Sequence, residues 1–450
     1  MMQIFRVFIP ASTLVLLFFD AVVIVCSFFL AILLLLGQTP EDYLLNTFGL
    51  LSLALVTASI LVGVYFQNLY SEVRSQSRLL LAQQLLMVDG VAFLLQALVS
   101  AAFPDLYMSL SVMLLGSLTA TIIMFAGRLV FSAYILPQVA HERLLLVGDS
   151  PLLVDISNYL ENHSQLGIQV AGHIHRLDQE DREAGADPVA ISGARLEKLF
   201  DSYKSKRIVV GMSDGLKPWL ASELLDLRFL GYSIQEASSV YAKICNREGL
   251  SDIGPSQLLY SKEYEPGTRA LFFQAMASWI IALACLLVML PLMVLIAILV
   301  RLGGPVLDRQ RRSGRHGIPF TMYSFRVGTK QSNGQKSLVD WLLIRTGFYG
   351  LPQLFNVLCG HMSIVGPKPH RPEFTRELSQ LIPFYPHRFK VRPGMTGWSQ
   401  IETLRHPALP DIMVELEYDL YYIKFLSGTM DIFIMVQAIK NILLWGGQQP

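Results

Sequence analysis

Three short blocks of basic residues carry the strongest chemical signal in this sequence. Arg309, Arg311, Arg312 and Arg315 open the first, with glycines among them, and Arg326 closes it. Lys368 and Arg371 follow in a proline-stiffened turn, Gly366-Pro367-Lys368-Pro369-His370-Arg371-Pro372, and Arg392 precedes Pro393 and Gly394. Guanidinium groups bind phosphate oxygens bidentately, so the first block suits a loop that holds phosphate. Alone, a run of this kind reads as a membrane-surface basic patch.

Other chemistries are poorly supplied. The four cysteines, Cys26, Cys245, Cys285 and Cys359, are scattered, and no Cys-x-x-Cys or Cys/His cluster is present. Neither a zinc site nor a disulfide framework follows, and no metal-ligand set is assigned. A net charge of +1 gives no basic field, so no nucleic-acid partner is expected.

The elements that must position these blocks are partly membrane-bound. Of 450 residues, 52% are hydrophobic and only 16% charged, against roughly 25% charged in a soluble domain. Four apolar segments, about Ala11–Leu36, Thr47–Phe66, Leu79–Ala101 and Met108–Gly127, are each near the roughly 20 residues that span a bilayer. The first is too long for a signal-peptide core and has no small-residue cleavage site after it. Glu41, Asp42 and Asp105 lie in the first and third connections, whereas Arg74 and Arg78 lie in the second, and Arg128 and Arg143 follow the fourth span. The positive-inside rule then places both ends of the bundle, and all that follows, in the cytoplasm. Asp20 and Asp89 fall within spans and read as helix–helix hydrogen-bonding residues rather than functional acids.

Residues 141–251 shift to soluble composition. Arg143–Gly148, Val170–Ile174, Lys206–Met212 and Tyr232–Glu236 read as strands, with Leu152–Glu161 and Leu216–Leu230 as helices between them. That alternation predicts a parallel sheet flanked by helices. A strand ending at Gly148 invites a dinucleotide-binding reading, but Gly148-Asp149-Ser150-Pro151-Leu152-Leu153 keeps only the first glycine of G-x-G-x-x-G, and Asp149 repels phosphate. The expectation is a degenerate Rossmann-like domain, structural or regulatory, that binds no NAD.

A long apolar run from about Leu271 to Val300 then carries Pro291 in its second half. Proline removes a backbone bond and clashes one turn back. A helix broken at Pro291 that enters and leaves on the cytoplasmic side keeps the polar chain beyond it inside; a straight fifth span is the alternative.

Tyr323-Ser324-Phe325-Arg326, Leu351-Pro352-Gln353-Leu354, Ile364–Phe374, Val391–Gln400 and Glu417–Ile423 stand downstream of the arginine block. In order and spacing these blocks resemble the bacterial sugar transferases, or monotopic phosphoglycosyl transferases, over about residues 266–440. The whole layout resembles the large form of that family. It is a membrane α/β protein with a four-transmembrane-helix bundle (1–135), a Rossmann-like degenerate nucleotide-fold domain (141–251) and an α-rich sugar transferase domain (266–450) with a re-entrant membrane helix. The resemblance implies a multi-pass protein of the bacterial inner (plasma) membrane with cytoplasmic soluble parts. It also implies transfer of a sugar-1-phosphate from a UDP-sugar to undecaprenyl phosphate, initiating exopolysaccharide or a related surface glycan. Implied partners are polyprenyl phosphate, a nucleotide sugar, inner-membrane lipid, polysaccharide assembly proteins and a second copy in a homodimer. Mg2+ is the implied cofactor of an active member.

In that family an Asp-Glu pair precedes Leu-Pro-Gln, and the Asp attacks the β-phosphate. Here the two positions hold Tyr349 and Gly350. A phenol of pKa near 10 is mostly neutral at pH 7, and glycine offers no side chain, so this catalytic pair is not expected to be competent. Ser324, Phe273 and Leu290 stand where the family has Lys, Asp and Ser. Asp340, nine residues from Tyr349 on the same predicted helix, and Glu373 and Glu402 in neighbouring blocks are the candidate replacement acids. The alternative reading is a catalytically inactive homologue that binds lipid phosphate or scaffolds polysaccharide assembly.

Overall fold

The computed structural model describes residues 2–4, 7–9, 11–36, 49–67, 69–70, 78–106, 108–131, 142–162, 168–174, 203, 205–212, 218–250, 264–302, 304–327, 338–382, 384–405 and 412–445. After a short hairpin of β1 (Met2–Ile4) and β2 (Val7–Ile9), four helices form a bundle: α1 (Ala11–Leu36), α2 (Gly49–Phe66), α3 (Arg78–Ala102) and α4 (Leu110–Val130). Ile24, Phe28, Val56, Ile60, Leu85, Val88, Val112 and Met124 share one core, while Phe18, Leu34, Leu94 and Ile122 point outward. An apolar exterior around an apolar core suits lipid as the surrounding solvent. Within the bundle Arg128 grips Asp20 with both terminal nitrogens, at 3.1 and 2.9 Å, and both residues are buried. Asp89 Oδ2 accepts a bond from Thr121 at 2.7 Å. Both acids therefore tie helices together, as their isolation in apolar segments predicts. Arg128, counted above as an exit charge, is consumed by that pair. Glu41, Asp42 and Arg74 lie outside the described residues.

The middle layer is a parallel sheet in the order β4-β3-β5-β6, built from β3 (Glu142–Gly148), β4 (Ile168–Ile174), β5 (Arg207–Gly211) and β6 (Ser233–Glu236). Successive strand residues face opposite sides. Leu144 and Leu146 pack under α5 (Pro151–Asn162) and α7 (Ala237–Cys245), and Leu145 and Val147 under α6 (Pro218–Phe229). Gly148 is explained by packing: at φ +128°, a Cβ there would lie 1.7 Å from Gly211 O.

α8 (Thr268–Arg301) follows as one continuous helix. The expected break at Pro291 is absent, because proline deletes a single bond and the flanking turns keep theirs. Among the described residues, α1 to α4 and α8 are long and apolar enough to cross a membrane. The remainder comprises the antiparallel hairpin β7 (Leu307–Ser313) and β8 (Pro319–Phe325), α9 (Leu338–Thr346), α10 (Gln353–Leu358), β9 (Ser363–Val365), α11 (Pro372–Leu381), β10 (Gly394–Thr396), α12 (Trp398–Arg405), α13 (Ile412–Lys424) and α14 (Gly428–Trp445). Asn356 on α10 clamps β8, its Oδ1 accepting from Tyr323 N at 3.0 Å and its Nδ2 donating to Thr321 O at 2.7 Å.

Candidate phosphate site

The arginine block is a strand, not the glycine loop its composition implied. Exposure alternates along β7: Leu307, Arg309 and Arg311 face solvent, while Asp308, Gln310 and Arg312 are half-buried. Strand alternation therefore splits the arginines between two faces. The glycines serve the hairpin tip, where His316 and Gly317 adopt φ 57° and 73°.

Arg312 donates through Nη1 to Pro369 O at 3.3 Å and through Nη2 to Gln310 Oε1. Its Nε is buried without a partner. Burial, then the nearby positive charge of Arg371, pushes the Arg312 pKa down against the pull of Asp308. A second pair stands beside the tip. Arg315 Nε donates to Lys390 O at 3.2 Å, and burial together with the Arg315 charge pushes the Arg392 pKa down. Lys368 is exposed on the same turn as Arg371. Arg326 lies at the opposite end of the hairpin, its N bonded to Val306 O at 3.0 Å, roughly 20 Å from the tip by strand rise. Arg312 thus reaches the turn that carries Arg371, and Arg315 the segment that carries Arg392, whereas Arg309 and Arg311 lie on the exposed face of β7 and Arg326 at the far end of the hairpin.

Two glycines join the second and third basic blocks. A Cβ on Gly394 would sit 2.1 Å from Gly366 N, so these backbones touch. Gly366 N bonds Thr396 O at 2.9 Å, and Gly394 N bonds Pro367 O at 3.0 Å.

Sequence reasoning missed what lies beneath the turn. Buried Arg388 donates to Lys368 O (3.0 Å), Tyr385 Oη (2.7 Å) and Glu415 Oε1 (3.0 Å), and pairs with Asp419 Oδ2 at 2.7 Å. His370 Nε2 faces Glu415 Oε1 at 3.1 Å, and Ser313 N donates to His370 O at 2.8 Å. One guanidinium cannot neutralise two carboxylates. Burial raises both pKa values, but the His370 hydrogen bond and Arg388 outweigh it at Glu415, which stays ionised down to about 2. Asp419 is raised, because burial and the Glu415 charge exceed the attraction of Arg388. The available signal was Asp419 inside the Glu417–Ile423 block and Arg388 four residues before Arg392.

Tyr349 sits in a short 3-10 turn, Phe348–Gly350. It packs against the cluster of Met293, Ile296, Val300, Phe325 and Leu343. Burial raises its phenol pKa, and no other cause opposes it, which is the reverse of what a nucleophile needs. Gly347, at φ 72°, separates this turn from α9, so Asp340 and Tyr349 do not share the helix expected for them. Gly350 is not demanded by the backbone: a Cβ there would meet only the Gln353 side chain, at 3.4 Å. Asp340 is buried on α9, Glu373 is exposed in the first turn of α11, and Glu402 is buried on α12, where Tyr418 and Tyr421 feel its charge. Among the described residues, no three His, Cys, Asp or Glu side chains converge to hold a metal ion. Magnesium takes hard oxygen ligands, and Tyr349 and Gly350 offer no carboxylate, so these two positions do not fit the ion implied by the resemblance.

Residues 269–445 match the family described as bacterial sugar transferase. The chain is 29% identical over 341 residues to the UDP-glucose:undecaprenyl-phosphate glucose-1-phosphate transferase of Xanthomonas campestris pv. campestris, covering 67% of this chain and 66% of that protein. It is 37% identical over 175 residues to the protein of the same description from Escherichia coli (strain K12), covering 36% of this chain and 38% of that one. It is 33% identical over 184 residues to the exopolysaccharide production protein PSS of Rhizobium leguminosarum bv. phaseoli, covering 37% of this chain and 92% of that protein. The chain spans just under two thirds of the Xanthomonas relative and about two fifths of the Escherichia one. It belongs to the bacterial sugar transferase family.

Proposed function

We propose that this protein is a polyprenyl-phosphate sugar-1-phosphate transferase of exopolysaccharide synthesis, with a UDP-sugar as donor and undecaprenyl phosphate as acceptor. The observation that carries the reading is that Arg312 bonds Pro369 O in the turn of Arg371 and Arg315 bonds Lys390 O two residues before Arg392, with Arg312 Nε buried and unpartnered. Partly buried like charges are relieved by anionic oxygens, and the reaction must hold a diphosphate and a phosphate together. The activity for which the Xanthomonas and Escherichia relatives are named points to glucose-1-phosphate as the transferred group.

With Tyr349 and Gly350 in place of carboxylates, transfer runs as a single displacement. An oxygen of the acceptor phosphate attacks the β-phosphorus, the new P–O bond forms as the bond to UMP breaks, and UMP leaves with the electron pair. The arginine pairs hold the oxygens that carry the charge.

The membrane arrangement belongs to the same proposal. Gln274, near one end of α8, donates to Tyr422 Oη at 2.5 Å and Asp431 Oδ2 at 3.3 Å. Val300, at the other end, packs with Phe325 and Leu343. Both ends thus touch the 266–450 domain, although the unbroken helix holds Gln274 and Val300 roughly 39 Å apart by helix rise. The unbroken course of α8 favours the straight fifth span over a re-entrant helix, and the proposal places 141–251 as a Rossmann-like layer in the cytoplasm and 1–135 in the inner membrane.

A second reading, a binding subunit without turnover, is favoured by the apolar setting of Tyr349. Purified protein in nanodiscs, given radiolabelled UDP-glucose, Mg2+ and undecaprenyl phosphate, separates the two. Label in the lipid fraction supports transfer, binding without label transfer supports the subunit, and neither binding nor transfer contradicts both.

A further inference from the structure

α13 carries two sets of polar side chains on different faces. Glu415 and Asp419, four residues apart, hold Arg388 and His370 and hence the turn of Lys368 and Arg371. Glu417, Tyr421 and Lys424, spaced four and then three residues apart along one helix face, hold the segment that leaves the parallel sheet. Glu417 accepts from Tyr241 Oη at 3.3 Å and from Leu250 N at 3.4 Å, and pairs with Arg247 at 3.5 Å. Glu417 O accepts from Glu248 N at 3.1 Å. Tyr421 Oη donates to Asn246 Oδ1 at 3.3 Å, Trp398 Nε1 donates to Asn246 O at 2.9 Å, and Lys424 pairs with Glu248 at 3.0 Å. Asn246 reaches both partners because it ends α7 at φ 53°.

We propose that α13 is a shared beam: docking of residues 241–250 on its Glu417–Tyr421–Lys424 face positions the Lys368–Arg371 turn through Glu415, Asp419 and Arg388. Asn246, Arg247 and Glu417 are then positioning residues for the anion site, without touching the anion. The parallel-sheet layer, which lacks the glycine fingerprint of a nucleotide site, gains a role as the element that sets this turn. Any partner that pulls residues 241–250 away weakens phosphate binding. The effect on binding rests on the anion-site reading; the positioning of the turn does not.

The test uses the full chain in nanodiscs. Asn246→Gly/Arg247→Glu keeps the left-handed backbone available, removes the bond from Tyr421 and sets a carboxylate against Glu417. Hydrogen exchange at residues 246–250 reports opening, and exchange at Gly366, Lys368, His370 and Arg371 reports the turn. Both sets are expected to exchange at least fivefold faster, with Arg247→Lys close to wild type. Faster exchange at 246–250 alone overturns the proposal, and unchanged exchange at both overturns it too, since docking would not rest on these groups. Where the charge reversal prevents folding, Tyr241→Phe/Asn246→Gly gives the same readout. Calorimetry with inorganic pyrophosphate runs in parallel. Affinity is expected to drop about tenfold in the opened variant, and an unchanged affinity overturns the proposal. A wild type that binds no pyrophosphate contradicts the anion-site reading alone, and the exchange result still decides the coupling.

Discussion

Arg388 and Asp419 form a fully buried ion pair, Nη2 to Oδ2 at 2.7 Å, and the same nitrogen donates to Lys368 O at 3.0 Å. The charge behind the Lys368–Arg371 turn is therefore structural. Arg388→Met would strand Glu415 and Asp419 without their shared cation, a loss of about 3–5 kcal/mol. Urea unfolding in detergent checks it, and a change below about 1 kcal/mol would show that the pair contributes little.

The anion site should respond to single arginines. Arg312→Gln removes the buried unpartnered Nε and relieves repulsion with Arg371. Pyrophosphate affinity is expected to fall about tenfold, the worth of one charged hydrogen bond, while thermal stability holds or rises slightly. Arg326→Gln, at the far end of the hairpin, is expected to change affinity less than twofold.

Glu417 gives the fold a pH dependence of known sign. Burial outweighs Arg247 and raises its pKa from 4.5 to about 7. Between those values the folded state binds more proton than the unfolded chain, so stability falls as pH rises from about 4.5 to 7 and levels off above it. Wild-type stability relative to Glu417→Gln should drop by up to about 3 kcal/mol between pH 5 and pH 8. Parallel curves for the two proteins would refute the assignment.

Inside the bundle, Asp20→Asn leaves Arg128 buried with half its partner. A loss of about 3 kcal/mol is expected, with Asp20→Asn/Arg128→Met recovering most of it in a double-mutant cycle.

The membrane spans were legible because hydrocarbon demands long apolar runs, and the observed ends of α1 to α4 fall within three residues of those read from sequence. The strands of the sheet were legible as short apolar runs between helices. β7 was misread because its alternation is written in arginine and glutamine rather than in apolar against polar residues. The Arg388 network joins residues 27 and 31 positions apart, from Arg388 to Glu415 and Asp419, and no local pattern encodes such a pairing. The apolar setting of Tyr349 is formed partly by Met293 and Ile296, more than fifty residues earlier, so its chemistry depends on how α8 packs against the domain.

The central claim is that arginine pairs hold the phosphates while Tyr349 stays out of the chemistry. Its most direct test is label transfer from UDP-glucose to undecaprenyl phosphate by wild type, Tyr349→Phe and Arg312→Gln/Arg371→Gln. The expected result is wild-type product with Tyr349→Phe and at least a hundredfold loss in the double arginine variant. Loss of product in Tyr349→Phe, or full product without both arginines, would contradict it.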